Sequence, residues 1–304
     1  MATRIAEDGF LEAGYNQVSI DDCWPDMERD EKTNRLVGNT TRFPSGIKAL
    51  GDFMHSKNVR FGIYSDMGVK TCAGYPGSKG FEKIDAETFK DWGVDYLKLD
   101  GCYNDRDGYA KGYPLMGSAL QSSGRDIVYS CSWPAYLGDN ETSKPFQAMI
   151  DGGCNLWRNW ADIDNSWKSV QSIIDHWGDY CESLKPYAGP GHWHDMDMVL
   201  VGDDHYNFTM NEDQSQTQLT IWSIMAAPLI MSSDLRTMED RYRDILLNPE
   251  VIAVDQDPLG EMGLRLTPKA APGGEIWARN LSDGSMAVAL FNRGDTVHAK
   301  CEHW

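Results

Sequence analysis

The segment Asp95–Tyr103, with the sequence DYLKLDGCY, is the stretch that decides the fold. Its apolar residues are typical of a buried strand, whereas Lys98 and Asp100 place a cation and a carboxylate at the end of the same run. Residues two apart in a strand point to the same face, so these two side chains should lie side by side. Catalytic groups of (β/α)8 barrels lie at the C-terminal ends of the strands. The segment therefore predicts a catalytic strand in such a barrel.

Short β-rich runs alternate with helical patterns along most of the chain, which is the arrangement of parallel βαβ units. The predicted strands are Gln17–Ile20, Arg60–Tyr64, Asp95–Leu99, Ile127–Ser130, Leu156–Asn159, Pro186–Ala188 and Leu229–Met231. The predicted helices between them are Gly46–Lys57, Asp85–Trp92, Tyr109–Ser122, Ser166–Asp179, Glu212–Met225 and Asp240–Leu247. This spacing favours a (β/α)8 barrel over an open doubly wound sheet, and no GxGxxG motif follows the first strand, which weakens a dinucleotide-binding alternative.

The pattern changes after the segment VIAVDQDPLG. The sequence EIWARNLSDGSMAVALFNRG predicts two antiparallel strands joined by a Ser-Asp-Gly turn. We therefore divide the chain into a catalytic barrel at residues 1–258 and the start of an antiparallel β domain at residues 259–304. Two or three strands are too few to form an independent core, so this second domain is expected to be truncated.

Charge and composition exclude several classes of protein. The 304 residues carry a formal net charge of −18, which opposes binding to nucleic acid or to an anionic membrane surface. No apolar stretch reaches the length of a transmembrane helix, and the N-terminus has no apolar core typical of a signal peptide. Four N-x-S/T sequons favour a secretory route nonetheless: Asn39, Asn140, Asn207 and Asn280. No cluster of cysteine and histidine has the spacing of metal ligands, so no zinc site is expected.

Polar residues collect at the predicted C-terminal ends of nearly all the strands. One aspartate in this place is usually only a helix cap, but repetition over six strands predicts an active site. Lys98 keeps the neighbouring Asp100 ionised, which suits a nucleophile. Trp157, Trp160 and Ile163 predict an apolar environment for Asp162, which suits a general acid. Aromatic residues that could line a sugar-binding pocket are Trp24, Tyr64, Trp133, Tyr136, Trp160 and Trp193, and about half of the tryptophans are expected to be ordinary core residues.

Several motifs in chain order resemble those of glycoside hydrolase family 27. They include SIDDCW, GIYSDMG, DWGVDYLKLDGCY, YSCSWPAY, WRNWADIDNSWKS and AAPLIMSSDLR. The resemblance covers nearly the whole chain. It implies a retaining exo-glycosidase that acts without a cofactor on a terminal α-linked galactose or N-acetylgalactosamine.

The resemblance also implies individual roles. Asp100 would be the nucleophile and Asp162 the acid/base. The substrate-binding residues would be Asp21, Asp22, Tyr64, Lys98, Ser132, Ala135, Tyr136, Arg158 and Asp197. The family pattern further pairs Cys72 with Cys102 and Cys131 with Cys154.

The motif SCSWPAY contains the two residues that predict which sugar is bound. In α-galactosidases of this family the positions of Ser132 and Ala135 hold the bulky residues Glu and Leu. The smaller side chains leave room for an N-acetyl group at the 2-position of the sugar, which predicts action on terminal α-N-acetylgalactosamine. An α-galactosidase and an inactive relative that only binds carbohydrate remain alternatives.

The chain departs from the family pattern at both ends. The first barrel strand is expected to be absent, and the C-terminal β domain to be cut short. Cys23, Cys181 and Cys301 have no assigned partner. The resemblance implies a lysosomal or secreted enzyme, homodimeric at full length, that acts on glycans of glycolipids and glycoproteins.

Overall fold

A computed structural model describes residues 1–203, 210–272 and 274–294. The chain folds into two compact units that divide after Trp160. The first unit comprises residues 1–160, and the second begins at Ala161.

Five parallel strands form the sheet of the first unit and pair in chain order. They are β1 (Gln17–Ile20), β2 (Arg60–Asp66), β3 (Tyr96–Asp100), β4 (Val128–Cys131) and β5 (Leu156–Arg158). The register places Tyr64 beside Lys98 and Asp66 beside Asp100. The polar ends of β2 and β3 therefore lie next to each other, as expected for neighbouring parallel strands.

Helices connect these strands, as the alternating pattern predicts. They are α1 (Ala2–Glu7), α2 (Ile47–Ser56), α3 (Glu82–Asp91), α4 (Arg106–Ser123) and α5 (Phe146–Asp151). The side chain of Asp105 caps α4 by accepting a hydrogen bond from the backbone N–H of Gly108. Gly124 ends the helix in the left-handed conformation, with φ of 78°. Short helix α5 was not predicted from the sequence.

The second unit contains four helices and four strands among its described residues. They are α6 (Trp167–Leu184), β6 (Trp193–Asp195), α7 (Glu212–Ile224), α8 (Asp240–Leu246), α9 (Pro249–Asp255), β7 (Leu264–Arg265), β8 (Glu275–Asn280) and β9 (Met286–Phe291). Asn211 and Gln214 form a reciprocal capping box at the start of α7. No helix in the described part of the chain is long and apolar enough to cross a membrane.

Two predicted strands of this unit are wrong. Residues Lys185–Tyr187 form a 3₁₀ helix in place of a strand, because Pro186 fixes φ and has no N–H to donate to a sheet. The strand instead is β6, seven residues later than predicted. The predicted strand Leu229–Met231 is reduced to a single parallel bridge between Met231 and Val199.

An antiparallel sheet in the order β7–β8–β9 follows the helices. The pairing runs from Glu275 opposite Phe291 to Asn280 opposite Met286, so the Ser-Asp-Gly turn forms the predicted hairpin. Strand β7, which pairs with β8, was not predicted as a strand. Arg279 on β8 is buried and donates to the backbone carbonyls of Ser223 and Asp255, which ties the sheet to α7 and α9.

We expect the buried carboxyl of Asp255 to make this unit more stable in acid than at neutral pH. Burial raises the pKa of Asp255 to about 7, only partly offset by the amide of Gln256. Between pH 4 and pH 7 the unfolded chain loses a proton that the folded chain keeps, so stability falls as pH rises. At about 1.4 kcal/mol per pKa unit, the loss is about 4 kcal/mol.

Urea unfolding at pH 5.0 and pH 7.5 measures this effect. The wild type should unfold at higher urea concentration at pH 5.0, and Asp255→Asn should shrink the difference. The exposed Asp52→Asn serves as the matched control, because the Asp52 side chain is 60% exposed. An Asp255→Asn protein with the full wild-type pH dependence would contradict the expectation.

Candidate active site

Asp100, at the end of β3, accepts hydrogen bonds from three donors. Its Oδ1 accepts from the Tyr136 hydroxyl at 2.6 Å and from the backbone N–H of Gly101 at 2.8 Å. Its Oδ2 accepts from the Tyr64 hydroxyl at 3.2 Å. Donors on both oxygens fix the orientation of the carboxylate, and a nucleophile has to be oriented toward the atom that it attacks.

The two tyrosines act as hydrogen-bond donors to Asp100. Burial raises the pKa of Tyr64 well above its ordinary value, and the charge of Asp100 raises it further. The same two causes raise the pKa of Tyr136. Both hydroxyls therefore keep their protons and orient the carboxylate of Asp100.

Lys98 and Asp21 form an ion pair beside the nucleophile candidate. The Lys98 Nζ lies 2.8 Å from Asp21 Oδ2 and 5.2 Å from the centre of the Tyr64 ring. Burial alone would lower the pKa of Lys98, but the carboxylates of Asp21 and Asp100 outweigh it and leave the pKa raised. The side chains of Lys98 and Asp21 are 30% and 63% exposed, so both are accessible from solvent.

Asp22 links two loops through its side chain. Its Oδ2 accepts from the backbone N–H of Ala73, and its Oδ1 accepts from the N–H of Cys23. Asp22 thereby joins the loop after β1 to the loop that carries Cys72. The adjacent carboxylate of Asp21 differs in its partners, because it accepts from the Lys98 ammonium as well as from the backbone N–H of Asp22.

Both disulfide bonds implied by the resemblance are present. Cys72 bonds to Cys102, and Cys131 bonds to Cys154. The first links the loop after β2 to the loop after β3, two residues beyond Asp100. Its sulfur atoms lie 3.3 Å from the hydroxyls of Tyr64 and Tyr136, respectively.

The segment Ser132–Tyr136 follows β4 and turns back toward Asp100. The backbone N–H of Ser132 donates to the carbonyl of Leu99, and the N–H of Ala135 donates to that of Ser132. Trp133–Leu137 forms a 3₁₀ helix that carries Tyr136 to the carboxylate of Asp100. Ser132 is buried and Ala135 is half-buried. Ser132 and Ala135, which are assigned to the sugar 2-position, therefore belong to the same turn as Tyr136, whose hydroxyl donates to Asp100.

A buried polar network supports the end of β5, where Arg158 lies. The Nζ of Lys144 contacts the carboxylate of Glu141 at 2.7 Å and the carbonyl of Asn159. The side-chain amide of Asn159 donates to the other oxygen of Glu141. Arg158 itself is only 9% exposed and donates to the carbonyl of Trp160 at 3.4 Å.

Asp162 and Asp197 lie in the second unit. Asp162 is exposed, so the predicted apolar enclosure of Asp162 is wrong. Asp197 is buried, with φ of 75°, and its Oδ2 accepts from the N–H of Ile163 at 2.7 Å. Asp197 therefore fixes the residue that follows Asp162, in addition to any contact it makes with substrate.

Three of the six predicted pocket aromatics are buried, namely Trp24, Tyr64 and Trp133. Trp24 is 2% exposed and its indole N–H donates to the carbonyl of Tyr64. Trp133 is 4% exposed and stacks on Tyr113. Trp160 and Trp193 are half-buried, and Tyr136 is 36% exposed.

Sequence reasoning assigned no role to three residues that support Asp100. The hydroxyl of Tyr113 donates to the carbonyl of Leu99, and that of Tyr109 to the carbonyl of Gly101. These two α4 tyrosines hold the residues on either side of Asp100. The third residue is Asp66, which lies opposite Asp100 in the register of β2 and β3. Tyr109 and Tyr113 are four apart on α4, a spacing that could have indicated a shared helix face.

Four candidate metal ligands, Asp66, Cys72, Asp100 and Cys102, have ligand atoms within 4.8 Å of one another. The two sulfur atoms are bonded to each other and carry no thiolate, which is the form that binds metals. The group is therefore a disulfide next to two carboxyls, and we assign no metal to it.

The sequons and remaining cysteines are placed as follows. Asn140 is exposed, with its Oδ1 accepting from Thr142, and Asn280 is exposed, with its Nδ2 donating to Glu261. Asn39 is half-buried. Cys23 is exposed and Cys181 is buried, and both are free thiols. Asn207 and Cys301 lie outside the described residues.

Comparison with protein families gives two matches. The model described as α-galactosidase A matches residues 1–257. The model of the α-galactosidase C-terminal β-sandwich domain matches residues 272–302.

Individual relatives are similar over almost the whole chain. Chicken α-N-acetylgalactosaminidase is 48% identical over 295 residues, which cover 96% of this chain and 71% of the relative. Human α-galactosidase A is 47% identical over 294 residues, which cover 96% of this chain and 66% of the relative. The chain thus spans about two thirds of the length of these enzymes.

Solved structures share the fold. α-Galactosidase I from Mortierella vinacea superposes with a TM-score of 0.83 at 31% identity, covering 97% of this chain and 76% of that chain. Two Bacteroides fragilis structures have TM-scores of 0.86 and 0.88, and this chain spans 62% and 63% of their lengths. The predicted fold class, an α/β barrel fold followed by an antiparallel sheet, is confirmed.

Proposed function

The chain belongs to glycoside hydrolase family 27, and from that premise we propose that it removes terminal α-linked N-acetylgalactosamine from glycoconjugates with retention of configuration. The observation that carries the proposal is the arrangement around Asp100. A carboxylate held by three donors lies beside the Lys98–Asp21 ion pair and the small residues of the Ser132–Tyr136 turn.

The first step is attack by Asp100. An Oδ atom of Asp100 forms a bond to the anomeric carbon, and the glycosidic bond breaks as Asp162 gives its proton to the leaving oxygen. The hydroxyls of Tyr64 and Tyr136 orient the carboxylate for this attack. The product is a glycosyl ester of Asp100, and the aglycone leaves as an alcohol.

Hydrolysis of the ester completes the cycle. Asp162, now ionised, takes a proton from water as the water oxygen bonds to the anomeric carbon and the ester bond breaks. Two inversions give net retention. Asp197, which holds the residue after Asp162, is assigned a place in substrate binding and in orienting this acid/base.

The remaining polar groups recognise the sugar. Lys98, Asp21 and Asp22 are assigned to the ring hydroxyls, because a charged group that hydrogen-bonds to a hydroxyl strongly disfavours an epimer in which this hydroxyl points elsewhere. Arg158 is assigned to the same binding site. No step requires a metal or cofactor, because all proton transfers are carried by carboxyl groups.

Specificity for the N-acetyl group rests on Ser132 and Ala135. The hydroxyl of Ser132 can donate to the acetamide carbonyl, and the methyl group of Ala135 can pack on the acetamide methyl. Their turn also delivers Tyr136 to Asp100. This supports assigning the turn to the 2-position, because that carbon is bonded to the anomeric carbon that Asp100 would attack. The nearly equal identities to chicken α-N-acetylgalactosaminidase and human α-galactosidase A do not separate the two sugars.

An α-galactosidase is the second candidate, favoured by the 47% identity to the human enzyme of that name. Turnover of matched p-nitrophenyl α-N-acetylgalactosaminide and α-galactoside separates the two candidates. We expect a higher kcat/KM on the first substrate. A higher value on the galactoside would favour the second candidate, and no turnover of either would favour an inactive carbohydrate-binding relative.

We extend the proposal to the setting of the enzyme. Two disulfides and exposed sequons at Asn140 and Asn280 support a lysosomal or secreted glycoprotein. Catalytic residues 1–258, the β domain from residue 259 and a homodimer are the proposed organisation. The substrates are glycans of glycolipids and glycoproteins.

A further inference from the structure

Asp66 is a completely buried carboxyl group next to the nucleophile candidate. It ends β2, and the sheet register places it opposite Asp100. Its Oδ1 accepts from the backbone N–H of Gly68 at 2.6 Å, and its Oδ2 accepts from the N–H of Cys102 at 3.0 Å. One side chain therefore joins the loop after β2 to the loop after β3.

The two loops meet closely at this junction. A Cβ atom on Gly68 would lie 1.8 Å from the carbonyl oxygen of Cys102, so only glycine permits the approach. The backbone N–H of Met67 donates to the carbonyl of Asp100 at 2.8 Å. Any movement of Asp66 is thereby transmitted to the backbone that carries the nucleophile.

The groups that face Asp66 in the first unit are acidic or phenolic. The carboxylates are Asp100 from β3 and Asp22 from the loop after β1. The tyrosines that share its electrostatic environment are Tyr109, Tyr113 and Tyr136. Tyr64, also on β2, lies in the same acidic environment.

Burial is the largest influence on Asp66, and it raises the pKa of this carboxyl to about 7. The N–H groups of Gly68 and Cys102 act in the opposite direction, while Asp100 and Asp22 reinforce burial. Below neutral pH, Asp66 is therefore protonated and neutral.

We propose that Asp66 is a positioning residue for Asp100, which it holds in place through the two loops and beside which it must remain uncharged. This inference rests on the proposed role of Asp100 as nucleophile. When Asp66 loses its proton, two like charges lie on adjacent strands with oxygen atoms within 4.8 Å of each other. The two charges repel each other, and a buried carboxylate is stabilised by moving toward water, so the loops are displaced. A small displacement of a reacting group lowers the rate considerably.

The test is the pH profile of kcat/KM for Asp66→Asn and the wild type between pH 4 and pH 9. The substrate is the α-glycosyl fluoride of the sugar that the wild type hydrolyses, because fluoride needs little protonation and ionisation of Asp162 then contributes little. Ser65→Ala is the matched control, since Ser65 is a buried neighbour whose hydroxyl contacts Ser78.

We expect wild-type kcat/KM on the fluoride to fall above about pH 7. In Asp66→Asn this fall should be absent, while kcat is about 10- to 100-fold lower at pH 5 because one backbone N–H loses its acceptor. Ser65→Ala should keep the wild-type profile. A fall with an unchanged midpoint in Asp66→Asn would overturn the inference, because a purely structural residue leaves the profile in place.

A measurement on the wild type keeps the inference testable if Asp66→Asn does not fold. The rate at which a 5-fluoroglycosyl fluoride labels the enzyme should also decrease above pH 7, and a rate constant that is flat to pH 9 would overturn the inference. A wild type without turnover would overturn the proposed function and this inference with it. Normal turnover with an unaltered profile in the variant would overturn only the role of Asp66.

Discussion

Asp100→Asn is expected to lower kcat by at least about 10³-fold, equivalent to about 4 kcal/mol in the activation free energy. An amide cannot form the glycosyl ester, so the covalent route is closed. The fold should persist, because the amide oxygen can still accept from one of the two tyrosines and the neighbouring ion pair of Lys98 and Asp21 is untouched.

Turnover of the p-nitrophenyl substrates, together with the melting temperature, checks this result. Asp52→Asn, an exposed aspartate on α2, is the control and should retain wild-type kcat. A folded Asp100→Asn enzyme with more than a few per cent of the wild-type rate would exclude Asp100 as the nucleophile.

The second large effect concerns the sugar. Ser132→Glu combined with Ala135→Leu is expected to convert an α-N-acetylgalactosaminidase into an α-galactosidase. The glutamate would occupy the acetamide volume and offer a carboxylate to a 2-hydroxyl, and the leucine would fill the remaining space. Losing a packed methyl group and a hydrogen bond costs about 1–3 kcal/mol, and steric overlap adds to that cost.

The ratio of kcat/KM on the two p-nitrophenyl substrates reports the change. Asp100, Tyr64 and Asp21 are unaltered, so turnover of the α-galactoside should persist. The single change Ser132→Ala is the control, because it removes the hydroxyl without adding volume. A ratio that moves by less than about tenfold in the double variant, or about 1.4 kcal/mol, would show that these residues do not recognise the 2-position.

The strands around Asp100 could be predicted because each combines a short apolar run with polar residues at its ends. Apolar runs bounded by polar residues located β1 to β5 to within one or two residues at each end, as with Asp95–Leu99 predicted and Tyr96–Asp100 observed. The hairpin of β8 and β9 was confirmed because the Ser-Asp-Gly turn has a strong local preference. The sixth strand was misplaced, because β6 has only three residues, two of them polar, whereas Pro186–Ala188 looked extended.

The supporting residues of the candidate site could not be predicted in the same way. Asp66 is one of several carboxylates at strand ends, and its importance depends on the register that places it beside Asp100. The hydroxyls of Tyr109 and Tyr113 reach the backbone on either side of Asp100 only after α4 packs in place. Exposure of Asp162 is likewise set by the fold.

The most direct test of the central claim is the identity of the residue that carries the glycosyl group. The wild type is incubated with a 5-fluoroglycosyl fluoride, quenched in acid and digested, and the labelled peptide is sequenced by mass spectrometry. The account predicts a single glycosyl ester on Asp100, within the segment DYLKLDGCY. A label on another carboxylate, or steady turnover with no label at all, would contradict it.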